Sequence, residues 1–128
     1  LMMRLKGDLA EVMTAVADKT LFKLKTFKWD PRPSLCVVAT SKGYPGKYPT
    51  GLPITGIEKA DSLPDVKVFH SGTAMKNGQL ITAGGRVLSV TALGKTLQDA
   101  HARAYEALKL IHFDGMHFRK DIGYQALH

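Results

Sequence analysis

The 128-residue chain is poor in the features that announce specialised chemistry. It has one cysteine, one tryptophan and only 11 Asp and Glu against 18 Lys and Arg. A lone thiol cannot close an intrachain disulfide, so stability has to come from a core, and the pattern fits a reducing cytoplasm. No apolar stretch approaches the roughly 18 residues that a membrane-spanning helix needs, and no secretory signal precedes the first helical pattern. The absence of a Gly-x-x-x-x-Gly-Lys-Ser/Thr loop excludes a P-loop nucleotide site. The absence of a Gly-x-Ser-x-Gly elbow removes a common signature of hydrolytic nucleophiles. Metal ligands would have to come from His112, Asp114 and His117, whose spacing suits neither one helical face nor a zinc knuckle, so no metal is expected on this chain. Cys36 lies inside the apolar run Ser34 to Ala39 and is expected to be a buried, protonated, inert thiol.

The scarcity of acids leaves a net charge of +7. Such a balance calls for an anionic partner: a phosphate-bearing substrate, a nucleotide or nucleic acid. The positive charges are spread over Lys19 to Arg32, Lys42 to Lys47 and Arg119-Lys120, a dispersal that weighs against nucleic acid. With 45% apolar and 23% charged residues, the composition is that of one globular unit whose core is large enough to fold unaided.

Residues 2–19 place Leu5, Leu9, Val12, Met13 and Val16 at helical spacing, predicting an amphipathic helix whose apolar stripe needs a partner. Residues 20–33 alternate Phe22, Leu24, Thr26 and Lys28 and end in Asp30-Pro-Arg-Pro33, a strand or extended linker running into a turn. Ser34 to Ala39 reads as a fully buried strand. Ser41 to Gly51 holds three glycines and two prolines, too dense in breakers for anything but a long loop. Val66 to Ser71, Leu80 to Thr82 and Arg86 to Ala92 read as strands, with Asn77-Gly78 as a hairpin turn. Thr96, with Asp99 three residues on, nearly matches a capping box. The helix it starts carries Leu97, Ala100, Ala104, Leu108 and Ile111 as its buried stripe. The expected fold class is α+β: an antiparallel meander of three or four strands with helices on one face.

Chemistry concentrates in Phe113 to Gly123. Two adjacent cations, a histidine, two aromatics and two hinge glycines suit a loop that presents groups to an anion better than a core, because unpaired Arg119 and Lys120 are costly to bury. Gly84-Gly85-Arg86 would let backbone N–H groups approach an anion beside a guanidinium, although the same glycines could serve a β-bulge. His70 to Thr73 could line a cleft or cap the hairpin. Phe113, Phe118 and Tyr124, interleaved with Arg119 and Lys120, could stack bases, but no RNA-binding or helix-turn-helix signature accompanies them.

The stretch His112-Phe-Asp-Gly-Met-His-Phe-Arg-Lys-Asp-Ile-Gly123, with Gly84-Gly-Arg-Val-Leu88 and Val90-Thr-Ala-Leu-Gly94 upstream, resembles the C-terminal part of the phosphoribosylamine–glycine ligase (GAR synthetase) family. Leu5-Lys-Gly-Asp-Leu9, Gly43-Tyr-Pro-Gly46 and Val68-Phe-His-Ser-Gly-Thr73 follow the family's order. The resemblance implies that residues 1–30 are the final helix and linker of an ATP-grasp domain, and residues 31–128 the C-terminal substrate-cleft domain. It implies a cytoplasmic parent enzyme of purine biosynthesis that joins glycine to 5-phosphoribosylamine, using ATP and Mg2+ or Mn2+. The nucleotide pocket and ligating acids would lie before Leu1, so the fragment alone would bind no cofactor and be inactive. By the same resemblance, Arg119 and Lys120 hold the ribose phosphate; Arg86, Gly84 and Gly85, which rest on their own chemistry, are weaker candidates. Their side chains are expected to face the cleft mouth without being consumed by Asp114 or Asp121. The stripe on the first helix implies self-association or pairing with the upstream part. The rival reading is a free-standing anion or nucleic-acid binding module.

Overall fold

The structure, a computed structural model, describes residues 1–24 and 28–127. The chain begins with a 3-10 turn (Met2–Arg4) and a short strand β1 (Leu5–Lys6), then helix α1 (Leu9–Ala17) and a second 3-10 turn (Leu21–Lys23). Strand β2 (Lys28–Trp29) pairs back with β1. The first predicted helix is therefore much shorter than 2–19. Asp8 accepts a hydrogen bond from the Ala10 N–H, an N-cap that starts the helix late. Of the linker reading, Thr26 lies outside the described residues.

Strands β3 (Ser34–Thr40), β4 (Val66–His70) and β7 (Arg86–Leu93) form an antiparallel sheet of order β3–β7–β4. Between β4 and β7, strands β5 (Thr73–Lys76) and β6 (Gln79–Thr82) form a separate hairpin. Its turn is Asn77-Gly78, and both residues take positive φ, as the Asn-Gly signal predicts. The sheet is not the expected meander. The last strand in sequence inserts between the first two, because β7, whose Val87, Leu88, Val90 and Ala92 are wholly buried, belongs at the centre.

Helix α3 (Leu97–Lys109) packs across β3 and β7. The capping box is complete: the Asp99 N–H donates to Thr96 Oγ1 at 3.1 Å, and the Thr96 N–H to Asp99 Oδ2 at 3.0 Å. Ala100, Ala104 and Ala107 are fully buried, and their small side chains bring the helix close to the sheet. A short helix α2 (Ile57–Asp61), which sequence periodicity did not indicate, lies beside β4 and α3. A four-residue helix α4 (Tyr124–Leu127) closes the described chain. Among the described residues no helix is long and apolar enough to cross a membrane.

Strand β3 is buried on one face only. Leu35, Val37 and Ala39 point to α3, while Cys36 and Val38 are exposed on the other side. The expected buried thiol is thus corrected: Cys36 is exposed, because α3 covers one face of β3 and the pleat turns Cys36 to the other.

The N-terminal segment is fastened to the sheet by ions. Asp30 is buried and accepts from Arg32 at 3.0 Å and Lys6 at 3.0 Å. Arg32 continues to Asp65, and Asp65 to Arg103 on α3. The Arg32 side chain, then its backbone N–H, then Lys6 hold the Asp30 carboxyl well below its ordinary range. A carboxyl lowered in the folded state contributes stability that is present above its unfolded value and is lost as pH falls toward the folded one. The melting temperature is therefore expected to drop as pH falls from about 5 to about 2, and Asp30→Asn to start lower at neutral pH and follow a flatter profile. Thermal melts across that range check it; parallel profiles for the two proteins would assign the acid sensitivity to other groups.

Candidate functional site

The chain from the end of α3 to α4 is the basic segment singled out by its composition, and four anchors shape it. Thr55 and His112 exchange backbone hydrogen bonds of 2.9 and 3.0 Å. Phe113 then drops into the core at 1% exposure, the bulkiest of the wholly buried side chains. Its burial corrects the expectation that this segment contributes no core. A turn follows, with the Met116 N–H on the Phe113 carbonyl at 3.1 Å and Gly115 at φ 68°. A Cβ on Gly115 would come within 2.9 Å of Lys42, so both backbone angle and space ask for glycine there. His117 and Thr40 exchange a second backbone pair at 2.8 and 2.9 Å, tying the segment to the edge of β3. The last anchor is Tyr105 of α3, whose hydroxyl lies between Arg119 and Ile122.

These anchors leave a cleft of about 260 Å³ on the sheet face opposite α3. Its floor is the exposed side of β3, Cys36, Val38 and Thr40; Tyr44, Phe118 and Ile122 form apolar walls. Arg86 and Arg119 both line it, and both are exposed. Two guanidiniums over an apolar floor suit a ligand with an anionic end and a less polar body.

The candidate residues divide. Arg86 and Arg119 come together; Lys120, Gly84 and Gly85 are not among the cleft's lining residues. Lys120 is exposed. The glycines have packing reasons: a Cβ on Gly85 would strike the Tyr44 ring, and Gly72 and Gly84 cross so closely that a Cβ on either would meet the other's Cα at 3.0 Å or less. The β-bulge falls one residue later, where Thr40 pairs with Arg86 and Ala39 with Leu88, leaving Val87 as the extra residue. His70 Nδ1 lies 3.0 Å from Thr73 Oγ1, across the start of the hairpin and away from the cleft.

Arg119 is not unpaired, contrary to expectation. Its Nε–H and one Nη2–H donate to the two Asp121 oxygens at 2.9 and 2.7 Å. The pair raises the Arg119 pKa and lowers that of Asp121. Both side chains are largely open to solvent, at 69% and 58% exposure, so water screens the contact. A guanidinium has five N–H donors; this fork uses two and leaves the Nη1 pair for a second anion.

Among the described residues no group of three or more His, Cys, Asp or Glu stands together to hold a metal ion. His112 and His117 are held through their backbones in the two bridges, and His117 also lines the cleft. The stacking pattern that suggested nucleic acid loses Phe113 to the core. Tyr44 and the outer face of β3 were missed from sequence, because Leu35 to Ala39 is apolar at every position and nothing in it separates an outer face from an inner one.

Comparison with known proteins adds a family. Residues 34–125 match the profile of the phosphoribosylglycinamide synthetase C domain. A phosphoribosylamine–glycine ligase of Rhodopirellula baltica is 50% identical over 127 residues, covering 99% of this chain and 29% of the relative. The trifunctional purine biosynthetic protein adenosine-3 of Gallus gallus is 47% identical over 123 residues, 96% of this chain and 12% of that protein. The crystal structure of a phosphoribosylamine–glycine ligase from Thermotoga maritima superposes with a TM-score of 0.68 at 31% identity, covering 89% of this chain and 28% of that one. The chain thus spans less than a third of the ligases it matches.

Proposed function

The chain belongs to the phosphoribosylglycinamide synthetase C-domain family, and from that premise we propose that it is the C-terminal portion of a ligase that joins glycine to 5-phosphoribosylamine. Residues 1–30 would close an ATP-grasp domain, and residues 31–128 would form one wall of the substrate cleft. The setting is purine biosynthesis in the cytoplasm. ATP, with Mg2+ or Mn2+, would activate the glycine carboxylate as an acyl phosphate, and the amine of phosphoribosylamine would displace phosphate to form the amide. The ion and the nucleotide are assigned to the portion of the relatives that this chain does not match, since it covers only 29% of such a ligase.

The part of the work assigned to this chain is binding. Arg119 and Arg86 take the ribose phosphate in the cleft, with charge-assisted hydrogen bonds that fix the sugar while the reacting amine stays free. The observation that carries this reading is their convergence on one cleft in a chain whose likeness to ligases runs almost from end to end. Leu9, Met13 and Val16 are 43%, 60% and 52% exposed on α1, a stripe that fits packing against the rest of such an enzyme. No observation favours the rival reading as a free-standing nucleic-acid or anion binder.

A chimera tests the proposal. In the Rhodopirellula baltica ligase, residues 1–128 of this chain replace the matching segment. ATP-dependent glycinamide ribonucleotide formation is expected within about tenfold of the parent, a loss of under 1.4 kcal/mol in transition-state stabilisation. The 128-residue chain alone should show none. A well-folded chimera without activity, or an active isolated chain, would overturn the reading.

A further inference from the structure

We propose that Tyr105 is a positioning residue for Arg119, an inference that rests on the phosphate reading of the cleft. Helix α3 otherwise serves packing and the Arg103–Asp65 pair, with Ala104 and Leu108, close to Tyr105 in sequence, fully buried. The Tyr105 ring is held on both sides: the His101 ring centroid lies 4.6 Å away and that of Phe118 6.2 Å. The hydroxyl uses both of its capacities on the backbone of the basic segment. It donates to the Arg119 carbonyl at 2.6 Å and accepts from the Ile122 N–H at 3.3 Å.

Those two groups are the ones that would bond each other in a β-turn spanning residues 119–122. The hydroxyl sits between them as an inserted bridge and holds the turn open by the width of an oxygen. Without it, the turn closes on itself or turns to water, and the Arg119 backbone moves in either case. Ile122, at the other end, lines the same cleft as Arg119. The fork to Asp121 fixes the side chain relative to its own turn, and Tyr105 fixes that turn relative to the sheet. Arg119 therefore reaches the cleft from a frame set by α3, on the far side of the sheet from its ligand.

Tyr105→Phe removes the bridge and keeps the ring between its two neighbours. In the 128-residue chain, amide exchange at Ile122 is expected to speed up by about tenfold. Affinity for ribose 5-phosphate, followed by nuclear magnetic resonance with ribose as the uncharged control, should weaken by about five- to tenfold. The melting temperature should shift by only a few degrees. Unchanged exchange at Ile122, or unchanged affinity where Arg119→Ala weakens it, would overturn the role of Tyr105 and leave the phosphate reading standing. If Arg119→Ala does not alter ribose 5-phosphate binding, the phosphate reading fails, and Ile122 exchange still decides whether Tyr105 sets the turn.

Discussion

Phe113→Ala is expected to destabilise the isolated chain by about 3–5 kcal/mol, a fall of roughly 10–20 °C in melting temperature for a domain of this size. The side chain is 1% exposed and belongs to the core cluster formed by the sheet, α3 and their connections. Truncation removes its transfer free energy and leaves a cavity whose walls are pinned by the Thr55–His112 and Thr40–His117 bridges on either side. Because those bridges resist collapse, the loss should fall in the upper part of the range. Urea and thermal unfolding measure it; a change below about 1 kcal/mol would show that the site relaxes and that Phe113 does not anchor the segment.

This result bears on function because Phe113 opens the segment that carries Arg119. Composition alone makes the segment look like a loop, since four charged residues and two glycines are mixed with its four apolar ones. In the structure it is fastened at intervals, and the exposed cations ride on a buried aromatic. Sequence pattern captured what is local: the Thr96–Asp99 cap, the Asn77-Gly78 turn, the alanine stripe of α3 and the positive φ of Gly115 and Gly123. It missed what depends on distant pairing. Nothing near β7 says that it inserts between β3 and β4, and nothing in β3 says that α3 covers only one of its faces and leaves Cys36 and Val38 on the other. A continuous apolar run gives no sign of a cleft over its outer face, although Arg86 and Arg119 both stand out in the sequence as anion-binding candidates. The two-residue strands β1 and β2 are likewise invisible, because their pairing is secured by the buried Asp30 and its cations rather than by any strand-like run.

Arg119→Ala, made in the ligase chimera, is expected to raise the Michaelis constant for phosphoribosylamine by roughly ten- to a hundredfold, the usual range for losing a hydrogen-bonded charge partner. The constant for ATP should stay nearly unchanged, because the nucleotide is assigned elsewhere. Asp121 bears on the size of the effect. Its carboxylate stays on the Nε/Nη2 edge of the guanidinium and repels a phosphate that takes the Nη1 pair, so Asp121→Asn should tighten phosphoribosylamine binding modestly rather than weaken it. Arg86→Ala should act in the same direction as Arg119→Ala but less, by about three- to tenfold, as the secondary contact. The two arginines would share one phosphate, so the double variant should lose less than the product of the single effects. Strict multiplicativity would place them at different ligands. A loss of thermal stability in Arg119→Ala with unaltered substrate constants would make the Asp121 fork a structural pair, and the phosphate would then need another holder.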